Sequence, residues 1–239
     1  ARAKAELLEE PALGGLCIVP PGWSALERVA SARSLRIWRV GPGGDSWLES
    51  SSSGYTAMPW GEPIRLRARG RHFAEDALAA LSVAVALGAG VREAVEAMSS
   101  FEGLAGRGRR LVSGPLTVID ESYNANPDSM RACLESLARE DGRRIAVLGD
   151  MLELGAGSGV MHEEVIRLAS GLGLDLVVLV GAEFAAAAGR PGRGVVSVGS
   201  WEEALAVIER EAGREATVLV KGSHAMRLDM IVERLRGGA

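Results

Sequence analysis

The sequence predicts an α/β fold built on a mostly parallel sheet, and two observations carry that prediction. From Leu116 onward, short apolar and largely β-branched runs alternate with segments whose apolar residues recur at helical spacing. Those runs are also apolar almost without interruption, which suits strands covered by helices on both faces of their sheet.

Taken in chain order, Leu16 to Val19 and Leu35 to Val40 read as short strands, and the Gly-, Asp- and Ser-rich stretch from Gly41 to Gly54 reads as turns. Ala74, Ala77, Leu78, Leu81 and Val85 form one apolar stripe, so a helix runs from about Phe73 to the Gly88 to Gly90 region. A second helix is expected over Val91 to Ser99. The Gly- and Arg-rich Gly103 to Arg110 reads as a linker, which divides the chain into domains at residues 1–109 and 110–239. Strands are then expected at Leu116 to Asp120, Arg144 to Gly149, Leu174 to Gly181, Val195 to Val198 and Thr217 to Val220, with helices between them. Ser129 to Leu137 carries Met130, Cys133, Leu134 and Leu137 on one face, and Ala225 to Leu235 carries Leu228, Ile231, Val232 and Leu235.

Composition narrows the function. With 239 residues, 47% of them hydrophobic, the chain can bury the core of one large or two modest domains. A net charge of -4 and a pI near 5.6 argue against a nucleic-acid coat, which needs concentrated Lys and Arg. No apolar run approaches the roughly 20 residues that span a bilayer, and Ala1 does not open a secretion signal, so a soluble, cytoplasmic protein is expected. Cys17 and Cys133 have no metal or redox spacing and read as buried thiols. The chain contains no Gln, two Asn (Asn124, Asn126), two Lys (Lys4, Lys221) and three His (His72, His162, His224), so the amides and lysines that remain mark positions where their chemistry is needed.

Three strand ends run into polar residues, and ligands of parallel sheets bind at the carboxyl ends of strands. The first is Asp120-Glu121-Ser122-Tyr123-Asn124-Ala125-Asn126-Pro127-Asp128-Ser129-Met130, where Asn126 suits a helix cap, Pro127 its first position and Asp128 its dipole. Capping leaves Asp120, Glu121, Tyr123 and Asn124 unexplained, and a ligand would account for them. The second is Gly149-Asp150-Met151-Leu152-Glu153-Leu154-Gly155, which lacks the glycine spacing of a dinucleotide fingerprint and reads equally well as a solvated turn. The third is Lys221-Gly222-Ser223-His224, whose ammonium and hydroxyl could hold a carboxylate or phosphate. No Gly-x-x-x-x-Gly-Lys-Ser/Thr loop, zinc spacing or nucleophile elbow occurs.

In order, Ala3-Lys4-Ala5-Glu6, the Gly70-Arg71-His72 helix start with Ala79-Ala80, Gly106-Arg107, the Tyr-Asn-Ala-Asn-Pro run, Gly-Asp-Met-Leu-Glu-Leu-Gly, His162 and Lys-Gly-Ser resemble the Mur ligase family, in the branch that joins D-alanyl-D-alanine to UDP-N-acetylmuramoyl-tripeptide. The resemblance implies a C-terminal Rossmann-like domain preceded by the end of a P-loop-type central ATPase domain. It implies a peptidoglycan-precursor ligase using ATP and Mg2+, acting as a monomer through an acyl phosphate, with that tripeptide and dipeptide as partners and neither nucleic acid nor membrane insertion.

Residue by residue, it implies that Lys4 is catalytic and, once carbamylated, helps hold Mg2+, and that Asn124 is catalytic. His72, Asp76, Arg107, Asp120 and Asn126 would face the nucleotide, and Tyr123, Lys221 and Ser223 the substrate. Phe73 and Asp76 stand where the family usually has Asn, and His224-Ala225 replaces a usual Arg-Gly. Because the phosphate loop is missing, these residues alone are expected not to turn over. The alternative is a stand-alone, non-catalytic module that keeps the fold without ATP chemistry.

Overall fold

The computed structural model describes residues 8, 15–52, 54–67, 70–101, 103–189, 192, 194–211 and 215–237. They form two compact units, one from residues up to Arg67 together with Arg71–Phe101, the other from residue 102 onward together with Gly70. Gly103 to Arg110, expected to be a linker, thus belongs to the second unit.

In the first unit, β1 (Leu16–Val19) and β2 (Arg36–Arg39) pair in parallel across α1 (Ser24–Ala32). Their core is Cys17, Val19, Leu26 and Ala30. An antiparallel meander follows: β3 (Trp47–Ser51), β4 (Gly54–Met58) and β5 (Glu62–Ile64). The expectation of turns over Gly41 to Gly54 is therefore corrected, because β3 lies within it. Its Glu-Ser-Ser end is exposed, so no apolar alternation betrays it, and the pairing with β4 holds it. The stripe read from the sequence forms α2 (Arg71–Ala86), and α3 (Val91–Met98) follows. Ala77, Leu78 and Leu81 of α2 pack on Ala57 and Ile64.

The second unit is a three-layer sandwich. Its strands are β6 (Arg109–Ser113), β7 (Leu116–Glu121), β8 (Arg144–Gly149), β9 (Leu176–Val180), β10 (Val195–Val198) and β11 (Ala216–Lys221). They lie in the order β10-β9-β8-β11-β7-β6, all parallel except β6, which runs antiparallel to β7. Alternate residues serve opposite cores. Ile145 and Val147 meet α7 (Trp201–Glu211) and α8 (Asp229–Gly237), while Ala146 and Leu148 meet α4 (Pro127–Leu137), α5 (Ser158–Gly171) and α6 (Ala182–Ala188). Each fully buried Leu, Ile or Val side chain in those layers is worth about 1.5–3 kcal/mol relative to exposure. Such two-sided burial explains why β8 and β9 read as unbroken apolar runs.

One helix boundary departs from expectation. The last helix starts at Asp229 instead of Ala225, because His224–Met226 form a single 3-10 turn that ends at Arg227 in a left-handed conformation, φ 54°. None of the described helices is long and apolar enough to cross a membrane.

Candidate functional site

The strand order places a crevice beside β11. Chain leaving β7 and β8 turns to α4 and α5 on one face, whereas chain leaving β11 turns to α8 on the other. Neighbouring loops that diverge in this way open a switch-point crevice at the carboxyl ends. All three polar strand ends identified in the sequence meet there.

Asp120, at the end of β7, is buried and committed to its own chain. Its Oδ2 accepts from the Gly106 amide at 2.7 Å, and its Oδ1 accepts from the Ser122 amide at 3.2 Å and the Ser122 hydroxyl at 2.6 Å. Gly106 itself is at φ 73°, and a Cβ there would meet Tyr123 Cβ at 2.9 Å, so the turn needs glycine. With this turn fixed, the Arg107 guanidinium lies over the Tyr123 ring, 4.3 Å from its centroid, and the His224 ring lies against it too, with centroids 5.7 Å apart. Arg107, Tyr123 and His224 are all exposed, so a cation and two rings face solvent beside a fixed carboxylate. Next to them, a cleft of about 250 Å³ is lined in part by Gly106, Asp120, Ser122, Tyr123 and His224.

Asn126 caps α4 as its sequence context predicts. Its side chain accepts from the Ser129 amide at 2.8 Å, and the Ser129 hydroxyl accepts from the Asn126 amide at 3.1 Å. Asn124 is exposed, its Oδ1 accepting from the Ala125 amide at 2.8 Å. Its backbone carbonyl accepts from Lys221 Nζ at 3.0 Å.

Lys221 is 2% exposed, and its ammonium also lies 3.9 Å from the Glu121 carboxylate. On the same side of the sheet, burial pushes the Cys133 thiol up to about 12, against the pull of the Lys221 charge and with help from Glu121.

The loop after β8 is tied as closely. The Asp150 carboxylate accepts from the Glu183 and Phe184 amides at 3.0 and 2.9 Å, at the start of α6. The Met151 amide donates to His162 Nε2 at 3.0 Å, and the Leu152 amide to Ser223 Oγ at 2.9 Å. His162, fully buried, has its Nδ1 2.8 Å from the Ser158 carbonyl, so the neutral ring with its proton on Nδ1 satisfies both contacts. The structural roles of His224, Asp150 and His162 could not be assigned from local sequence, because their partners lie on other elements.

The comparisons with known proteins fit this geometry. Residues 106–224 match the family described as Mur ligase, glutamate ligase domain, from the Gly106 turn at one end to His224 at the other. The chain belongs to the Mur ligase family. A UDP-N-acetylmuramoyl-tripeptide--D-alanyl-D-alanine ligase from Mycobacterium tuberculosis is 31% identical to it, over 95% of this chain and 48% of the relative. The enzyme of that name from Escherichia coli is 29% identical, over 99% of this chain and 55% of the relative. The chain thus spans about half the length of the curated relatives it matches. Among solved structures, MurF from Acinetobacter baumannii superimposes with a TM-score of 0.80 at 29% identity, covering 99% of this chain and 55% of that one. A Thermotoga maritima MurF solved with ADP shares the fold, with a TM-score of 0.74 at 20% identity.

Of the residues singled out in the sequence, the second unit of this chain brings together Arg107, Asp120, Tyr123, Asn124, Asn126, Lys221 and Ser223. His72 and Asp76 stand on α2 of the first unit, His72 half-buried with its ring 4.2 Å from Phe73, and Asp76 exposed. Lys4 lies outside the described residues.

Proposed function

We propose that this chain is part of the ATP-dependent ligase that adds D-alanyl-D-alanine to UDP-N-acetylmuramoyl-tripeptide through an acyl phosphate, in cytoplasmic peptidoglycan synthesis. The first unit would close the central ATP-binding domain and the second unit, which includes the Gly103 to Arg110 stretch, would form the C-terminal domain, in a protein working as a monomer. The observation that carries the reading is the exposed Arg107 guanidinium held on Tyr123 beside the clamped Asp120 loop, at a switch-point crevice, in a chain whose relatives bear that name.

A nucleotide fits there chemically. An always-charged guanidinium suits phosphate or ribose oxygens, and the neighbouring rings suit a planar or sugar surface. Bound ATP would supply the phosphoryl group that activates the tripeptide carboxylate. On this chain's side, Arg107 would orient the nucleotide, Asp120 would hold the turn that presents Arg107, and Asn124 would face the reacting centre. His72 and Asp76 carry the nucleotide role only by resemblance, as Lys4 does for Mg2+. Asn126 is occupied by its helix cap, which favours a supporting role over direct nucleotide contact.

Because no Gly-x-x-x-x-Gly-Lys-Ser/Thr loop occurs in the 239 residues, we expect them to show no turnover alone. A phosphate-release assay with Mg-ATP, UDP-N-acetylmuramoyl-tripeptide and D-alanyl-D-alanine should read background, and robust turnover would overturn this. Nucleotide contact is tested separately by ADP titration. Arg107→Ala should weaken ADP binding about tenfold or more, the loss of a charge-assisted contact, while equal binding would remove Arg107 from the site.

A further inference from the structure

We propose that Lys221, Gly222 and Ser223 are not substrate ligands but a two-sided positioning clamp, through which β11 sets the spacing of the loops that follow β7 and β8. The consequence for catalysis rests on the ligase reading above; the clamp itself does not.

Three facts build the clamp. Lys221 faces β7: its Nζ donates to the Asn124 carbonyl at 3.0 Å, lies 3.9 Å from Glu121, and belongs to a residue only 2% exposed. An ammonium so deeply buried is stable only when paired and hydrogen-bonded, so this group is committed before any ligand arrives. Ser223 faces β8: its hydroxyl accepts from the Leu152 amide at 2.9 Å, its own amide donates to the Asp150 carbonyl at 3.2 Å, and it is 6% exposed. Between them, Gly222 lets β11 and β8 leave the sheet in contact. A Cβ on Gly222 would meet Leu228 Cδ1 at 2.8 Å and Gly149 Cα at 3.0 Å, and a Cβ on Gly149 would meet Leu228 Cδ1 at 2.9 Å.

Each residue of the Lys-Gly-Ser run thereby has a mechanical reason. Lys supplies a long cation that reaches one neighbouring loop, Gly omits the side chain that would push β11 and β8 apart, and Ser reaches the other loop. Exposed beside the clamp stand Asn124 on one side and Tyr123 and His224 next to it.

The test is ligand-free amide hydrogen exchange on the whole chain, comparing Lys221→Met with Ser223→Ala. Lys221→Met should speed exchange about tenfold or more at Ala125 and Asn126 and leave Leu152 unchanged. Ser223→Ala should do the reverse. General loosening would raise exchange in both loops alike, so the crossed pattern separates positioning from mere destabilisation. If Lys221→Met fails to fold because the Glu121 charge is no longer balanced by the Lys221 ammonium, Glu121→Gln/Lys221→Met removes both charges and is read in its place. A spectroscopic signature accompanies this: the Lys221 ammonium, in a chain with two lysines, should give a protected 15N signal coupled across the hydrogen bond to the Asn124 carbonyl carbon. Unchanged exchange at Ala125 and Asn126, equal loosening of both loops, or a fast-exchanging ammonium would each overturn the clamp. Failure of the ligase reading would appear in the ADP titration and leave these results as they are.

Discussion

Asp120 shows how a single buried carboxylate can organise a site. Three donors converge on it, and removing it strands the Gly106 and Ser122 amides as well as a hydroxyl. Hydrogen bonds to a charged group are worth about 1.5–3 kcal/mol each, with strong sharing among them. Asp120→Ala should therefore lower stability by about 3 kcal/mol in urea titration and release Arg107 from its place, whereas Asn126→Ala should cost about 1 kcal/mol, the ordinary worth of a helix cap. Cys133 gives the pH prediction. Its thiol is at 9.0 in the unfolded chain and about 12 in the folded one, so the folded state holds the proton more tightly. Its contribution to stability is complete below pH 9 and is lost as pH climbs towards 12, a slope that Cys133→Ala should remove from a plot of urea midpoint against pH. Asn126, Pro127 and Asp128 were legible from sequence because capping is a code read over a few adjacent residues. Lys221 was legible only as a residue of consequence. Its partner Asn124 is 97 positions away, so the sequence could not distinguish a lysine awaiting a carboxylate from one already bound to a carbonyl.

At the level of elements, the parallel strands of the second unit and the helices between them were readable because burial on two faces leaves an unbroken apolar run, whereas α1 between β1 and β2 was not. β3 and β6 were not, for the complementary reason. β3 exposes its polar end, and β6 is an edge strand whose Val112 is 76% exposed and whose Arg110 is drawn into a bidentate pair with Glu140 at 3.0 and 2.8 Å. Such strands are specified by their partners more than by their own pattern. The start of α8 was misplaced for a similar reason: the Leu228, Ile231, Val232 and Leu235 stripe is genuine, but the turn that precedes it is set by the left-handed Arg227. Packing between elements also supplies the most local test of the β8 and β11 contact. Gly222→Ala inserts a methyl between Leu228 and Gly149 and should cost about 1–3 kcal/mol, an overpacking penalty measured as a shift in urea midpoint with unchanged slope.

For the whole molecule, the division after Phe101 leaves the second unit with a complete sandwich, both faces of its sheet covered by its own helices. Expressed from residue 102 onward, it should unfold in urea as one cooperative transition by circular dichroism, and a broad, non-cooperative loss of signal would refute its autonomy. Its strand order carries a consequence for biosynthesis. β7 and β8 emerge from the ribosome long before β11, yet in the finished sheet they never touch, because β11 lies between them. Until residues 216–221 are made, the nascent sheet is two half-sheets, each showing an unpaired backbone edge to the other across a slot one strand wide. Non-local closure of this kind is slow and leaves adhesive edges bare. A ribosome stalled just before Ala216 would therefore hold a chain that has most of its apolar strands and no means of joining them, the point in its history at which this protein most needs a chaperone.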